Sequence, residues 1–160
     1  MHWIVDGYNV ILADARLSKL IRRDSESARS ELLREVMKFA GTRRYKVTLI
    51  YDGKFSTPTE KVSASVEIRF SRPNETADDL IKREIGNSER RRSLFVVTDD
   101  LAIIGYAKEC GANAVGSREF MLQVRGSGLR TGNQVEHGSE KPEPSGNPDL
   151  ELLRVFGVKK

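Results

Sequence analysis

Leu94-Phe95-Val96-Val97-Thr98-Asp99-Asp100 is a short apolar run that stops abruptly in two carboxylates. Without polar alternation and too short for a helix, it predicts a strand covered on both faces. The pattern recurs at the N-terminus, where Met1–Asp6 is followed by Gly7-Tyr8-Asn9, and at Lys46–Tyr51, closed by Asp52-Gly53. Ser65–Phe70 alternates, with Val66, Ile68 and Phe70 on one side, and predicts a strand nearer an edge. Asn113–Val115 is a short last strand, which brings the expected sheet to about five.

Helical patterns fill the gaps. Ala28, Leu32, Leu33, Val36, Phe39 and Ala40 recur at helical spacing, so a helix is expected from about Glu26 to Ala40. A second, capped by Asn74, carries Ala77, Leu80, Ile81 and Ile85 on its core face. A third runs from about Leu101 to Cys110 and is ended by Gly111; a fourth starts at Ser117 and reaches about Val124. The stretch after Asp6, dense in Arg16, Lys19, Arg22 and Arg23, reads as a polar connection. Strands alternating with helices predict parallel βαβ units, with helices on both faces of one sheet.

In such sheets ligands bind beyond the carboxyl ends of the strands. Asp6, Asp52 and Asp99-Asp100 all fall at those ends, and Glu75-Thr76-Ala77-Asp78-Asp79 opens a helix at the same edge. Two carboxylates about 5 Å apart repel by about 3 kcal/mol at an effective dielectric of 20. Several together call for a cation, and hard ions such as Mg²⁺ or Mn²⁺ prefer oxygen ligands. An ion held there orients water, lowers its pKa and stabilises charge on a phosphoryl group.

Each residue also has a plainer reading. Asp6-Gly7 is a suitable strand-ending turn, Glu75 and Asp78 favour a helix dipole, and Asp99 suits a helix N-cap. Asp100 is harder to assign that way, since capping needs only one acid. Asp52 stays open between the two readings. Asn9 is placed to hydrogen-bond a carboxylate or a phosphate, or to cap a turn. Tyr8 is either a packed aromatic or a ring on which a base stacks.

The 160 residues form one domain by size, 38% apolar and 31% charged. No stretch approaches the roughly 20 apolar residues of a membrane span, and the first strand leaves no room for a signal peptide. Cys110 is the single cysteine, expected as a small buried thiol, so no disulfide forms within the chain. A cytoplasmic location is expected. The net charge of +4 becomes a more basic remaining surface once several acids gather at one site, which suits a polyanionic partner. Gly126–Asp149 is rich in Gly, Ser, Pro, Asn and Glu and reads as flexible; Leu150, Leu153 and Phe156 after Pro148 suggest a short terminal helix.

Other chemistries fail on spacing. A haloacid-dehalogenase-type phosphatase needs an acid where Tyr8 stands, and a toprim site needs one residue between its acids. There is no P-loop, and the glycines from Gly126 follow a helix, not a strand. His2 and His137 are the only histidines, which disfavours a histidine triad or zinc site.

Asp6-Gly7-Tyr8-Asn9-Val10-Ile11, Glu75-Thr76-Ala77-Asp78 and Val97-Thr98-Asp99-Asp100, with Gly111-Ala112 and Ser117-Arg118-Glu119-Phe120, resemble the NYN domain family, in its YacP-like branch, within the PIN-like nuclease superfamily. The motifs span residues 4 to about 122, and the resemblance implies a PIN-like three-layer α/β/α sandwich, taken as residues 1–125; the flexible segment 126–149 and the terminal helix and tail 150–160 are read from composition and match none of its motifs. The resemblance also implies divalent-metal-dependent cleavage of RNA. Asp6, Glu75, Asp78 and Asp100 would be the metal-binding acids, with Asp99 and Asp79 as further candidates, and Asn9 would support the site. The family pattern places a small or polar residue where this chain has Asp99.

Arg90-Arg91-Arg92 and Arg43-Arg44 precede strands, which puts them at the pole opposite the acids. Arg16, Lys19, Arg22, Arg23, Lys54, Arg72 and Arg118 follow strands and are the expected contacts for an RNA backbone. The expected function is therefore a metal-dependent endoribonuclease acting on RNA, by preference single-stranded. The competing readings are a non-catalytic RNA-binding or ribosome-associated module and, third, a DNA nuclease.

Overall fold

The computed structural model describes residues 1–53 and 59–133, with residues 127–133 as backbone alone. Among them six strands form one sheet: β1 (His2–Asp6), β2 (Lys46–Tyr51), β3 (Thr59–Lys61), β4 (Val66–Phe70), β5 (Leu94–Val97) and β6 (Asn113–Val115). The spatial order is β3-β4-β2-β1-β5-β6, and only the β3–β4 pairing is antiparallel. From β1 the chain steps outward through β2 to β4, then returns across the sheet to β5 and β6. The strand order reverses between β1 and β5, and their carboxyl ends are the usual ligand position in sheets of this kind.

Side-chain alternation along β1 divides the core. Trp3 and Val5 pack with α1 (Gly7–Ala13), α2 (Ala15–Arg23), α3 (Ser25–Arg43) and α6 (Ser117–Asn133). Ile4 faces the other side, with Ile50 and Val96, under α4 (Ala77–Asn87) and α5 (Leu101–Glu109). Trp3 is the hub of the larger layer, stacked on Phe95 at 4.8 Å and edge-on to Phe39 at 5.5 Å. Such pairs add about 1 kcal/mol each beyond the area they bury. Helices on both faces of a mostly parallel sheet make the three-layer sandwich expected from the sequence.

Several local expectations need correction. The supposed polar connection after Asp6 is two helices, α1 and α2. Val10, Ile11 and Leu17 are fully buried there, while Asp14 ends α1 and its carboxylate caps α2 at the Leu17 N–H. The cationic density of α2 masked its apolar face. A sixth strand, β3, was not anticipated because Thr59-Glu60-Lys61 is wholly exposed and carries no apolar signal. The cap of α4 is Thr76, not Asn74, in a reciprocal capping box with Asp79. Helix α6 runs on past Val124 to Asn133. The rest of the segment expected to be flexible, and the terminal helix, lie outside the described residues. Cys110 is half-buried, at the end of α5, where burial was expected.

Gly7 follows β1 directly and admits no side chain: a Cβ there would come within 2.2 Å of the Tyr51 ring. Gly41, inside α3, has nothing within 4 Å of that position. Gly7→Ala should therefore destabilise the fold by about 1–3 kcal/mol. Gly41→Ala should stabilise it by up to about 1 kcal/mol through helix propensity. Thermal unfolding of both variants checks the pair, and a Gly7→Ala protein as stable as the parent would contradict the packing described.

Candidate active site

Asp6 ends β1 with its carboxylate buried, at 8% exposure. The Thr98 hydroxyl donates to Asp6 Oδ2 at 3.1 Å and accepts the Asp100 N–H at 3.1 Å. One fully buried threonine thus ties the end of β1 to the turn after β5. Burial pushes the Asp6 carboxyl up to about 6, and the charges of Asp78 and Asp52 add to the rise. The Thr98 bond and the Asn9 backbone amide oppose it. That amide acts as a nearby dipole, since Asp6 forms no capping hydrogen bond of standard geometry at the start of α1.

Asp78, in the first turn of α4, is also raised, first by burial and then by Asp100 and Asp52; Asp79 adds to this and Lys82 opposes it. Asp78 and Asp52 thus act on Asp6, and Asp100 and Asp52 on Asp78, though each of the four comes from a different element. Asp100 has a second task. It caps α5, accepting from Ala102 N at 2.9 Å and Ile103 N at 3.2 Å. Asp52 steadies the start of α4, accepting from Ala77 N at 2.7 Å. The positive ends of α4 and α5 both meet the cluster and offset part of its repulsion.

Two sequence expectations change here. The N-cap of α5 is Asp100, whereas Asp99 had been the candidate. Asp99 Oδ1 instead accepts Ser117 N at 2.9 Å, supplying α6 with the capping oxygen that Gly116 lacks. Glu75 pairs with Arg83 and accepts the Arg72 N–H, and it is not among the main charges acting on Asp6 or Asp78. Asp52, left open by the sequence, is among the charges acting on both Asp6 and Asp78.

Asn9 is locked by its neighbours. Its Oδ1 accepts from Asp99 N at 2.8 Å and from the Ser117 hydroxyl at 3.1 Å. A backbone N–H only donates, so the atom facing it is the amide oxygen, and the Asn9 NH₂ group is left as a donor. A residue so fixed suits a phosphate oxygen or a water better than a cation. Sequence reasoning missed Thr98 and Ser117 as the residues that build this arrangement. Small hydroxyl side chains give no signal until the strands that bring them together are known.

The donor chemistry, all carboxylate, fits a hard divalent cation. Among the described residues, however, no group of three or more Asp, Glu, His or Cys side chains is drawn together closely enough to hold one directly. Mg²⁺ commonly keeps several waters and takes only one or two carboxylates directly. The arrangement fits a hydrated ion of that kind and not an all-protein cage.

Of the expected RNA contacts, Lys19, Arg22, Arg23, Arg72 and Arg118 are exposed. Arg16 is turned onto α3, paired with Glu31 and Glu35. Lys54 lies outside the described residues. Arg90, Arg91 and Arg92 line an open depression before β5, at the pole opposite the acids. His2 bonds Thr48 at 2.9 Å, and burial lowers its pKa to about 4, so it is a neutral structural residue at pH 7.

Asp6 has a folded-state pKa above its unfolded one, so burying it charged costs stability as pH rises from about 4 to about 6, by roughly 3 kcal/mol in full. In metal-free protein, Asp6→Asn should be more stable than the parent at pH 7.5 and equal to it near pH 4. Denaturant unfolding in EDTA at the two pH values checks this; a variant less stable at pH 7.5 would contradict it.

No helix among the described residues is long and apolar enough to cross a membrane. The family model for the YacP-like NYN domain matches residues 3–151. A curated relative, the uncharacterized protein YacP of Bacillus subtilis (strain 168), is 29% identical over 163 residues, covering 96% of this chain and 92% of the relative. Two crystal structures of Rae1 (YacP) from Bacillus subtilis superpose on the fold. The W164L mutant does so with a TM-score of 0.71 at 26% identity, the other structure with 0.67 at 27%, and both cover 98% of this chain and 92% of theirs. With the motif residues Asp6, Asn9, Asp78 and Asp100 gathered at one sheet edge, the chain belongs to the YacP-like NYN domain family, and through it to the nuclease superfamily.

Proposed function

We propose that this protein is a divalent-metal-dependent endoribonuclease. The observation that carries the reading is the buried Asp6 carboxylate at the sheet's switch point, with Asp52, Asp78 and Asp100 close enough to perturb it or one another. A charge buried among like charges is costly to keep unless a cation shares the site.

Asp6, Asp78 and Asp100, with Asp52 beside them, would hold a Mg²⁺ or Mn²⁺ ion that keeps most of its waters. Bound there, the ion supplies activation of a water molecule and neutralisation of the phosphoryl charge. The chain's own residues do the rest. Thr98 fixes the Asp6 oxygens, and the Asn9 NH₂ group donates to a non-bridging phosphate oxygen. Water attacks phosphorus in line, the P–O3′ bond breaks, and the products carry a 5′-phosphate and a 3′-hydroxyl. Exposed Arg72 and Arg118 follow strand ends at the same edge and steer the backbone, which makes binding salt-sensitive. Glu75 then acts on the placement of α4 through Arg83 and not as a ligand.

The spread of the acids favours one alternative, a non-catalytic RNA-binding or ribosome-associated module whose cation site is weak. The two part on turnover. Purified protein with Mg²⁺ or Mn²⁺ should cut single-stranded RNA, and EDTA should stop it. Asp6→Asn and Asp100→Asn should each lower the rate by at least about 100-fold, while Glu75→Gln stays within about tenfold of the parent. Asn caps a helix as well as Asp, so Asp100→Asn should remain folded. Full cleavage by both Asp variants would overturn the assignment; salt-sensitive binding without cleavage by the parent would leave the binding module.

A further inference from the structure

We propose that Ser117 is a positioning residue for the reaction: its hydroxyl, acting with the Asp99 N–H, sets the Asn9 amide so that its NH₂ end is offered to the scissile phosphate. This rests on the nuclease reading above, in which that NH₂ group meets a non-bridging phosphate oxygen.

Strand register brings the three residues together. β5 and β6 pair in parallel with Val97 opposite Val115, and the Thr98 N–H closes the ladder on the Val115 carbonyl at 3.1 Å. Asp99 and Ser117 each stand two residues beyond that last pair, so they leave the sheet side by side. Asn9, in the first turn of α1, meets both: its Oδ1 accepts from Asp99 N at 2.8 Å and from Ser117 Oγ at 3.1 Å. The Asn9 backbone amide also acts on the Asp6 carboxyl, and Asp99 adjoins Asp100. Asn9 is thus tied by its backbone to one acid of the cluster and by its side chain to the neighbour of another.

The Ser117 hydroxyl is not used to cap its own helix, the ordinary task of a serine at a helix start. Asp99 Oδ1 accepts from Ser117 N at 2.9 Å, and Glu119 Oε1 accepts from Gly116 N at 3.1 Å. Ser117 is fully buried, and alanine would fill that place if packing were all. What the hydroxyl adds is a second donor to Asn9 Oδ1. A flipped amide would set its NH₂ against the Asp99 N–H, donor to donor. Two bonds from separate elements also fix the plane of the amide, where one would leave it free to swing. A donor held in advance where charge develops needs no reorganisation during the reaction.

The test makes Ser117→Ala and Asn9→Ala singly and together, and measures kcat and KM on single-stranded RNA with Mn²⁺. Ser117→Ala should lower kcat by about tenfold, less than loss of a donor outright, with KM within about twofold of the parent. In the Asn9→Ala background the same substitution should change nothing, since the group it orients is gone. Ser117→Cys, similar in size but a weak donor, should fall between. These variants should fold, because Asp99 and Glu119 still cap α6. A merely structural serine would lower the rate equally in both backgrounds. That additive result, or a Ser117→Ala protein with the parent's kcat, would overturn the positioning role and leave the nuclease reading standing.

A second readout needs no turnover. The Asn9 NH₂ resonances, identified by their loss in Asn9→Ala, should have an order parameter of about 0.85 in the parent and below about 0.6 in Ser117→Ala. If the parent never cuts RNA, the nuclease reading falls and this comparison alone decides whether Ser117 orients Asn9. Unchanged order in Ser117→Ala would overturn it.

Discussion

The hydrogen bond from the Thr98 hydroxyl to Asp6 joins two strands that are neighbours in space but 92 residues apart in sequence. It exists only because the chain, having built β2 and β4 on one side of β1, returns to lay β5 on the other. The same hydroxyl accepts the Asp100 N–H, so the start of α5 is set by the bond that sets Asp6. Asp99 then places α6 through Ser117, and Ser117 with the Asp99 amide locks Asn9. Asp6, Asp100, Asp99 and Asn9 are in effect one hydrogen-bonded unit, and disturbing any part would displace the others.

Electrostatics set the terms for that unit. Burying Asp6 costs about as much as a single well-placed interaction gains, and its acidic neighbours deepen the cost. Helix N-termini lower the burden without removing it. Strain of this kind is tolerated where function requires it, and it favours a cation over every neutral ligand.

Much of this was legible in the sequence, because parallel strands announce themselves as apolar runs and their carboxyl ends name the edge. That logic marks Asp6, Asp52 and Asp99-Asp100 at strand ends and Glu75 and Asp78 at a helix start on the same edge; the family resemblance singles out Asp6, Glu75, Asp78 and Asp100 among them. What stayed hidden has physical causes. Arg16, Lys19, Arg22 and Arg23 masked α2, whose buried face is narrow, and exposed β3 had no apolar pattern to read. Glu75 and Asp52 could not be ranked, because the ion pair of Glu75 with Arg83 and the action of Asp52 on Asp6 and Asp78 depend on tertiary placement. Asp100 and not Asp99 caps α5 because the helix starts at Leu101, and one residue decides which acid is the cap; Asp99 accepts from Ser117 N at the start of α6 instead.

The central claim is that the cluster around Asp6 is completed by a divalent cation. The most direct measurement is thermal unfolding at pH 7.5 against increasing Mn²⁺, for the parent and for Asp6→Asn. A ligand that binds only the folded state raises stability by RT ln(1 + [L]/Kd). The account predicts a saturable rise for the parent, enough for it to overtake the variant, and little change for Asp6→Asn. A parent protein whose unfolding is indifferent to Mn²⁺, or a variant that rises equally, would contradict it.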